Sequence, residues 1–271
     1  MNESIITTLH FHKLGNGPII LLAFHGIGQD GISCFKPFSE NLGNYYTVYA
    51  FDLYFHGKSI ESSEVNFFSN QVITKKIWAK TIQEFLHKEK ISRFDVAGFS
   101  MGGRFALATL EAFSNQIDKA FLIAPDGISE HPLYTLASGF KPTRKLFGWL
   151  MQNPNSFFKA ANIFQKAGFV HSSLYRFTQH VLNTSEKRQS VYNSWVGFRK
   201  LHFEIPELYQ KIKVNDIDLY LFIGKYDKLL KEKGVIRLAN LLPADRYIIL
   251  QNGHSQLVEK VAFYLKNILK N

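Results

Sequence analysis

Ser100 stands at the centre of the pentapeptide GFSMG, residues 98–102, which has the pattern G-x-S-x-G. An apolar run that ends at Ala97 precedes it, and a helix-like stretch, residues 103–110, follows. This pattern between a strand and a helix is typical of a nucleophile elbow, in which a strained turn pushes the serine hydroxyl out above a sheet. Glycines flank such a serine because a Cβ there would collide with the adjoining strand or helix. The sequence therefore predicts Ser100 as the nucleophile of an acyl transfer.

A serine hydroxyl is a weak nucleophile, so it needs a base, and the base needs a carboxylate that orients it. Two strand-like runs downstream of Ser100 lead to such groups: residues 219–223 precede Asp227, and residues 246–250 precede His254. The carboxyl ends of parallel strands share one edge of an α/β sheet, where ligands bind. We therefore expect Ser100, His254 and Asp227 to form a catalytic triad.

Acyl transfer also develops a negative oxygen, which backbone N–H groups in fixed positions must stabilise. The buried-strand pattern of residues 18–24 leads into a loop that begins with His25 and Gly26. We expect one N–H from Met101, the residue after the nucleophile, and the second from Ile27, with Gly26 as the other choice. Gly26 also lets the backbone approach a substrate closely. His25 is expected to hold this loop by hydrogen bonds rather than to act as a base.

On these motifs the chain resembles the α/β-hydrolase superfamily, in its single-domain form with a helical cap. The resemblance spans residues 18–258 and includes residues 52–59, where a Tyr-Phe pair replaces the more usual Arg-Gly before His-Gly. It implies a mostly parallel central sheet flanked by helices, with an inserted helical cap. It also implies structural roles for Asp52 and His56. The triad chemistry itself needs no metal or organic cofactor.

The alternation of strands and helices stops between residues 131 and 203, where the chain is aromatic and helix-like. We interpret this segment as a cap inserted into a core formed by residues 1–130 and 204–271. It contains ten lysines and arginines and one acidic residue, Glu186, so nearly all of the net charge of +10 lies in the cap. Such a cap would concentrate anionic ligands near the pocket, adsorb on an acidic membrane surface or bind nucleic acid weakly. The alternative is a solvated surface that happens to be basic.

Composition bounds the class of protein. A chain of 271 residues with 46% hydrophobic residues has room for one α/β domain and a cap. No apolar run approaches the roughly 20 residues of a membrane span, and no secretory signal is visible, so we expect a cytoplasmic protein. No nucleic-acid motif is present. Cys34 is the single cysteine, which excludes an internal disulfide; we expect it to pack in a helix.

Three functions remain open. The leading one is a serine hydrolase that cleaves a small or medium carboxylic ester, thioester or related acyl compound, with Trp149 among the pocket residues. The second is a carbon–carbon lyase or hydrolase. Arg104 resembles the elbow arginine of menaquinone-pathway synthases, which meets substrate carboxylates, and the alternative for Arg104 is an ion-pairing role. The third is a non-catalytic ligand-binding protein. The expected partner is a small molecule, anionic if the cap attracts it, and the oligomeric state is open.

Overall fold

The computed structural model describes residues 8–60, 71–130, 132–166 and 172–268. Its centre is a seven-stranded sheet with the strand order β1-β3-β2-β4-β5-β6-β7. β1 pairs antiparallel with β3, and every other pairing is parallel. This arrangement confirms the predicted α/β fold. The strands are β1 Phe11–Leu14, β2 Ile19–Phe24, β3 Tyr46–Phe51, β4 Phe94–Phe99, β5 Ile117–Ile123, β6 Asp218–Gly224 and β7 Tyr247–Leu250.

Helices cover both faces of the sheet because successive residues of the buried strands point to opposite sides. In β2, Leu22 and Phe24 face a core shared with α2, α3 and α9. Leu21 and Ala23 face a second core shared with α1 and α11. The helices are α1 Gly31–Leu42, α2 Lys75–Glu89, α3 Gly102–Phe113, α4 Pro132–Gly139, α5 Lys141–Gln152, α6 Pro154–Lys166, α7 Ser172–Val181, α8 Ser185–Gly197, α9 Ile205–Val214, α10 Glu232–Ala239 and α11 Leu257–Ile268.

The alternating pattern of residues 4–12 predicts an initial antiparallel strand over that range, and the first strand of the structure has other bounds. The structure has β1 at Phe11–Leu14, while residues 8–10 are not in a strand and residues 4–7 lie outside the described residues. Pairing with β3 sets this register, since Phe11 lies opposite Phe51. The apolar alternation of residues 4–12 carries no information about where that partner strand lies.

Among the described residues, helices α4 to α8 lie between β5 and α9 and form a helical insertion within residues 132–197. The insertion has an apolar cluster of its own, which includes Met151, Val181 and Val191. Ile27, from the loop after β2, packs against this cluster as well as against the core. The insertion therefore contacts the segment in which the second oxyanion donor was predicted. Among the described residues, no helix has both the length and the apolar character that crossing a membrane requires.

Candidate active site

Ser100 occupies the tight turn between β4 and α3, near the middle of the sheet. Its φ is +53°, in the left-handed region that side-chain-bearing residues rarely adopt. Three backbone hydrogen bonds hold this geometry: the Ser100 N–H donates to the Ile123 carbonyl at 3.0 Å, and the Ser100 carbonyl accepts the N–H groups of Gly103 and Asp126, both at 2.8 Å. The chain after β5 thus supports the strained turn. The hydroxyl-bearing residue itself is partly exposed.

The two glycines of the pentapeptide are required by close backbone packing. A Cβ at Gly102 would lie 1.9 Å from the carbonyl oxygen of Phe24, at the end of β2. A Cβ at Gly98 would lie 2.6 Å from the carbonyl oxygen of Gly102 and 2.7 Å from the Cβ of Ala106. All three distances are well below van der Waals contact. The elbow therefore lies directly against the end of β2, from which the predicted oxyanion loop continues.

Asp227 and His254 meet at the ends of β6 and β7. The Nδ1 atom of His254 lies 2.6 Å from the Oδ2 atom of Asp227, whose side chain is fully buried. The other carboxylate oxygen of Asp227 accepts the N–H groups of Leu229 and Leu230 at 2.8 and 2.9 Å. The carboxylate is thus fixed from both sides. It favours the histidine tautomer with a proton on Nδ1, which leaves Nε2 to accept a proton.

His254 also lies next to the elbow. Its ring centroid is 4.8 Å from that of Phe99, the residue before Ser100. The structure therefore brings together the three chain segments that carry Ser100, His254 and Asp227. The shared edge of the parallel strands explains this, because β4, β6 and β7 all end there.

The loop after β2 lies beside the elbow, since a Cβ on Gly26 would lie 3.0 Å from the Phe99 ring. The Gly26 N–H donates to the Gln29 side-chain oxygen at 3.2 Å. In the described part of the chain, the N–H groups of Ile27 and Met101 have no protein acceptor. Two donors near the elbow are therefore open to an incoming oxygen, whereas Gly26 is engaged. The sequence gives no signal for this role of Gln29, because its position in the chain does not show which N–H group its side chain accepts.

Two buried histidines connect this loop to the loop after β3. His25 Nδ1 lies 2.6 Å from the Gly26 carbonyl, and its Nε2 accepts the Leu53 N–H at 3.0 Å. His56 Nε2 accepts the Gly28 N–H at 3.2 Å. Burial lowers the pKa of His25 to about 4 and that of His56 to about 3, because desolvation disfavours the charged ring. Both rings are neutral near pH 7 and hold the loop by hydrogen bonds.

Two histidines, His10 and His12, lie close to the buried Asp52. The potential ligand atoms of His10, His12 and Asp52 lie within 4.8 Å of one another, which makes them the one such group among the described residues. These atoms are of types that bind transition metals. However, Asp52 accepts the N–H groups of Gly31 and Lys58 at 2.8 and 2.9 Å, and His12 Nε2 lies 3.3 Å from its Oδ2. The contacts give Asp52 the structural role of joining α1 to the loop after β3.

Arg104 does not point into an open pocket, contrary to the expectation that it meets a substrate carboxylate. Its side chain is 1% exposed. Its guanidinium makes five hydrogen bonds: two to Asp126, two to Glu130 and one to the Leu201 carbonyl. Its Cζ lies 4.4 Å from the Tyr134 ring centroid. All five N–H groups are used, so the buried network leaves no donor for an anionic substrate.

Trp149 also differs from its predicted place in the pocket. Its side chain is 50% exposed on the outer face of α5. Val181, at the end of α7, lies against the loop after β2, since a Cβ added to Gly28 would lie 3.3 Å from Val181 Cγ1. Helix spacing in the sequence shows which residues of a helix share a face, but it cannot show which face meets the core. The sequence therefore predicts Trp149 as a pocket residue from its aromatic character alone and gives no signal for Val181.

Two further features are separate from the elbow. Cys34 is buried in α1, and desolvation raises the pKa of its thiol to about 12, which makes it a poor nucleophile. A cavity of about 490 Å³ opens at the ends of β6 and β7; its lining includes Asp227, Lys228 and Lys231 but neither Ser100 nor His254. This cavity therefore lies beside the carboxylate rather than above the serine.

Comparisons with known proteins identify the fold family. A family model described as alpha/beta hydrolase fold matches residues 19–261. An uncharacterized protein of Mycobacterium tuberculosis is 28% identical over 120 residues, which are 44% of this chain and 33% of that protein. The chain thus matches about a third of the length of this relative. A similar uncharacterized protein of Mycobacterium bovis matches to the same extent.

Solved structures resemble the whole chain at low sequence identity. An esterase from Thermogutta terrifontis superposes with a TM-score of 0.67 at 17% identity, over 97% of this chain and 93% of that one. An enol-lactonase from Burkholderia xenovorans has a TM-score of 0.62 at 18% identity, over 97% and 95%. A meta-cleavage product hydrolase from Pseudomonas fluorescens has a TM-score of 0.60 at 18% identity, over 97% and 93%. At such identities the likeness shows a shared fold.

Proposed function

The chain belongs to the alpha/beta hydrolase fold family, and on that premise we propose that it is a serine hydrolase of carboxylic esters, thioesters or related acyl compounds. The observation that carries the proposal is the short contact between His254 Nδ1 and Asp227 Oδ2, 2.6 Å, beside a strained elbow serine. A buried carboxylate that orients a histidine next to such a serine has the composition of an acyl-transfer triad. The names of two similar structures, an esterase and an enol-lactonase, agree with acyl chemistry.

In the first step, the Ser100 oxygen attacks the carbonyl carbon of the substrate while His254 Nε2 takes the hydroxyl proton. Asp227 holds the histidine and stabilises the imidazolium that forms. Collapse of the tetrahedral intermediate breaks the bond to the alcohol or thiol, which leaves with the proton from His254. The serine is then acylated, and the histidine is neutral again.

The backbone N–H groups of Met101 and Ile27 bind the negative oxygen that develops in this step. Gly26 is the weaker choice because its N–H already donates to Gln29. The hydrogen bonds of His25 and His56 fix the loop that presents Ile27. Donors held in advance need no reorganisation when the charge forms, and one such donor contributes about 100- to 1000-fold in rate.

In the second step, water attacks the acyl-enzyme carbonyl and gives a proton to His254. The same two N–H groups stabilise the new oxyanion, and its collapse releases the acid as the proton returns to Ser100. The steps use side chains, backbone N–H groups and water.

Residues 131–203 act as the cap in this proposal, and residues 1–130 and 204–271 form the hydrolase core. The contacts of Val181 and Ile27 support this division, because they bring the helical insertion over the oxyanion loop. The carbon–carbon alternative loses the residue that suggested it, since every N–H group of Arg104 is taken up within the protein.

The test is hydrolysis of short-chain p-nitrophenyl esters by the wild type, Ser100→Ala and Ser92→Ala. Ser92 is an exposed serine before β4 and serves as the matched control. We expect Ser100→Ala to lose at least about 1000-fold in kcat while Ser92→Ala keeps wild-type turnover. Undiminished turnover by a folded Ser100→Ala variant would rule out the mechanism. Ligand binding without turnover by the wild type would instead favour the non-catalytic function.

A further inference from the structure

The outer side of the helical insertion carries an unusual combination of side chains. Five large apolar residues of α4 to α6 and the segment between them are at least half exposed: Leu136, Phe140, Leu146, Trp149 and Ile163. Four lysines of α5 and α6 are exposed beside them: Lys141, Lys145, Lys159 and Lys166. We call these nine residues the basic apolar surface. Single exposed apolar residues are common, whereas a set of this size on consecutive helices indicates a binding surface.

Helix α5 presents this combination along one whole face. Lys141, Lys145 and Trp149 follow one another at four-residue steps, and Leu146 adjoins them. The other side of the helix carries Phe147 and Met151, which pack in the apolar cluster of the insertion. The exposed apolar residues of α5 therefore do not complete the core of the insertion. They remain on a face that has no partner within the described chain.

The neighbouring helices extend the same surface. Leu136 and Phe140 lie four residues apart at the end of α4, and the Phe140 carbonyl accepts the Thr143 hydroxyl at 3.1 Å, which joins this end to α5. On α6, Lys159, Ile163 and Lys166 have four- and three-residue spacing and are all exposed. The exposed apolar residues thus come from three helices that contact one another in chain order, and the exposed lysines come from two of them, α5 and α6.

Among the described residues, no carboxylate pairs with the positive charges of this surface. In the parts of the chain that the structure describes, Lys141, Lys145, Lys159 and Lys166 form no ion pair with a carboxylate. The one acidic residue between positions 131 and 203 is Glu186, in the first turn of α8. A partner for this surface must therefore be anionic and must also accept apolar side chains.

We propose that the basic apolar surface binds the surface of an anionic lipid bilayer. Lysines bind the headgroups, while Trp149, Phe140 and their apolar neighbours enter the boundary between headgroups and acyl chains. Nucleic acid would match the lysines but leave the apolar side chains uncovered. A bilayer accepts apolar residues that are scattered among lysines, because it does not require a complementary shape. The net charge outside residues 131–203 is close to zero. Electrostatic attraction to anionic headgroups therefore comes mainly from residues 131–203.

Co-sedimentation with lipid vesicles tests the proposal with the full chain. The wild type is mixed with vesicles of phosphatidylcholine alone and of phosphatidylcholine with phosphatidylglycerol, at low and at physiological salt. The apolar variant is Leu146→Ser with Trp149→Ser, and its control is Ile249→Ser with Phe263→Ser, both exposed on the core. The charge variant is Lys141→Gln with Lys145→Gln, and its control is Lys213→Gln with Lys260→Gln, both exposed lysines of the core.

We expect binding to anionic vesicles that weakens as salt increases. Each removed lysine should weaken it about fivefold, from about 1 kcal/mol per basic residue. The apolar variant should also bind less, while both controls and Ser100→Ala bind like the wild type, so that this test does not depend on catalysis. Absence of binding to anionic vesicles at low salt would overturn the proposal, as would equal losses in the cap variants and their controls. The wild type could instead self-associate without binding vesicles. If the apolar variant abolished that self-association, the surface would bind a second copy of the chain and the membrane proposal would be wrong.

Discussion

The buried carboxylate of Asp227 accepts the Leu229 and Leu230 N–H groups through one oxygen, and its other oxygen lies 2.6 Å from His254 Nδ1. The backbone bonds fix the carboxylate, and the carboxylate fixes the imidazole. Such an arrangement controls which ring nitrogen carries the proton. In the proposed mechanism, catalysis therefore depends on the hydrogen bond that the Asp227 carboxylate accepts from His254.

Asp227→Asn should lower kcat for ester hydrolysis by about 10⁴-fold, because an amide that donates to Nδ1 selects the wrong histidine tautomer. The Asn oxygen can still accept the backbone N–H groups, so the fold should persist. Steady-state kinetics with a p-nitrophenyl ester measures this effect, and circular dichroism checks the fold. Asp216→Asn, at an exposed position before β6, is the control. A change of less than tenfold in Asp227→Asn would show that the carboxylate does not orient the base.

Gly102→Ala should destabilise the protein by more than about 3 kcal/mol, because the new methyl group would lie 1.9 Å from the Phe24 carbonyl oxygen and the backbone would have to shift. Gly234→Ala in α10 is the matched control, since a Cβ there meets nothing within 4 Å. The control should stabilise by about 1 kcal/mol from helix propensity. Denaturant unfolding measures both variants. Similar effects of the two substitutions would contradict the packing at the elbow.

Arg104→Met should destabilise the protein by about 3 kcal/mol, because it leaves Asp126 and Glu130 without their buried partner. Thermal or denaturant unfolding measures this loss. The kcat/KM for an anionic ester is then divided by that for a neutral ester. If Arg104 is structural, this ratio should be the same for Arg104→Met as for the wild type. A selective loss on the anionic ester would restore Arg104 as a substrate ligand.

The stability of the protein should depend on pH through His25. Burial lowers its pKa from 6.5 to about 4 in the folded protein, so the unfolded chain binds a proton first as the pH falls. The neutral, buried ring of His25 therefore contributes its full share of the unfolding free energy above pH 6.5. This contribution is lost as the pH falls toward 4. Unfolding free energies measured between pH 7 and about 4 should fall less steeply in His25→Gln than in the wild type. The exposed control, His87→Gln, should follow the wild-type slope; equal slopes for all three proteins would contradict a buried neutral His25.

The sheet and the ends of its strands could be predicted from the sequence, because apolar strand runs end in glycine-rich turns. For that reason residues 100, 227 and 254 were expected at one edge, and the structure has their segments there. The environment of Arg104 could not be predicted in this way. Whether a residue on α3 meets substrate or protein depends on Asp126, Glu130 and the Leu201 carbonyl, which reach it from distant parts of the chain.

The side-chain environments in the helical insertion could not be predicted from the sequence either. Its helical character and basic charge follow from composition, but a helix pattern gives two faces without saying which one meets the core. Trp149 lies on the outer face and Val181 on the face over the oxyanion loop. Only the packing of whole helices decides between these positions. The roles that we assign to the triad and to the oxyanion donors remain predictions for experiment.

Labelling with a fluorophosphonate, followed by intact-mass and peptide mass spectrometry, tests most directly whether Ser100 is an activated nucleophile. We expect one adduct on the wild type, located at Ser100, no adduct on Ser100→Ala, and strongly slowed labelling of His254→Ala. A wild type that stays unlabelled, or a Ser100→Ala variant that labels as fast as the wild type, would contradict the proposed mechanism.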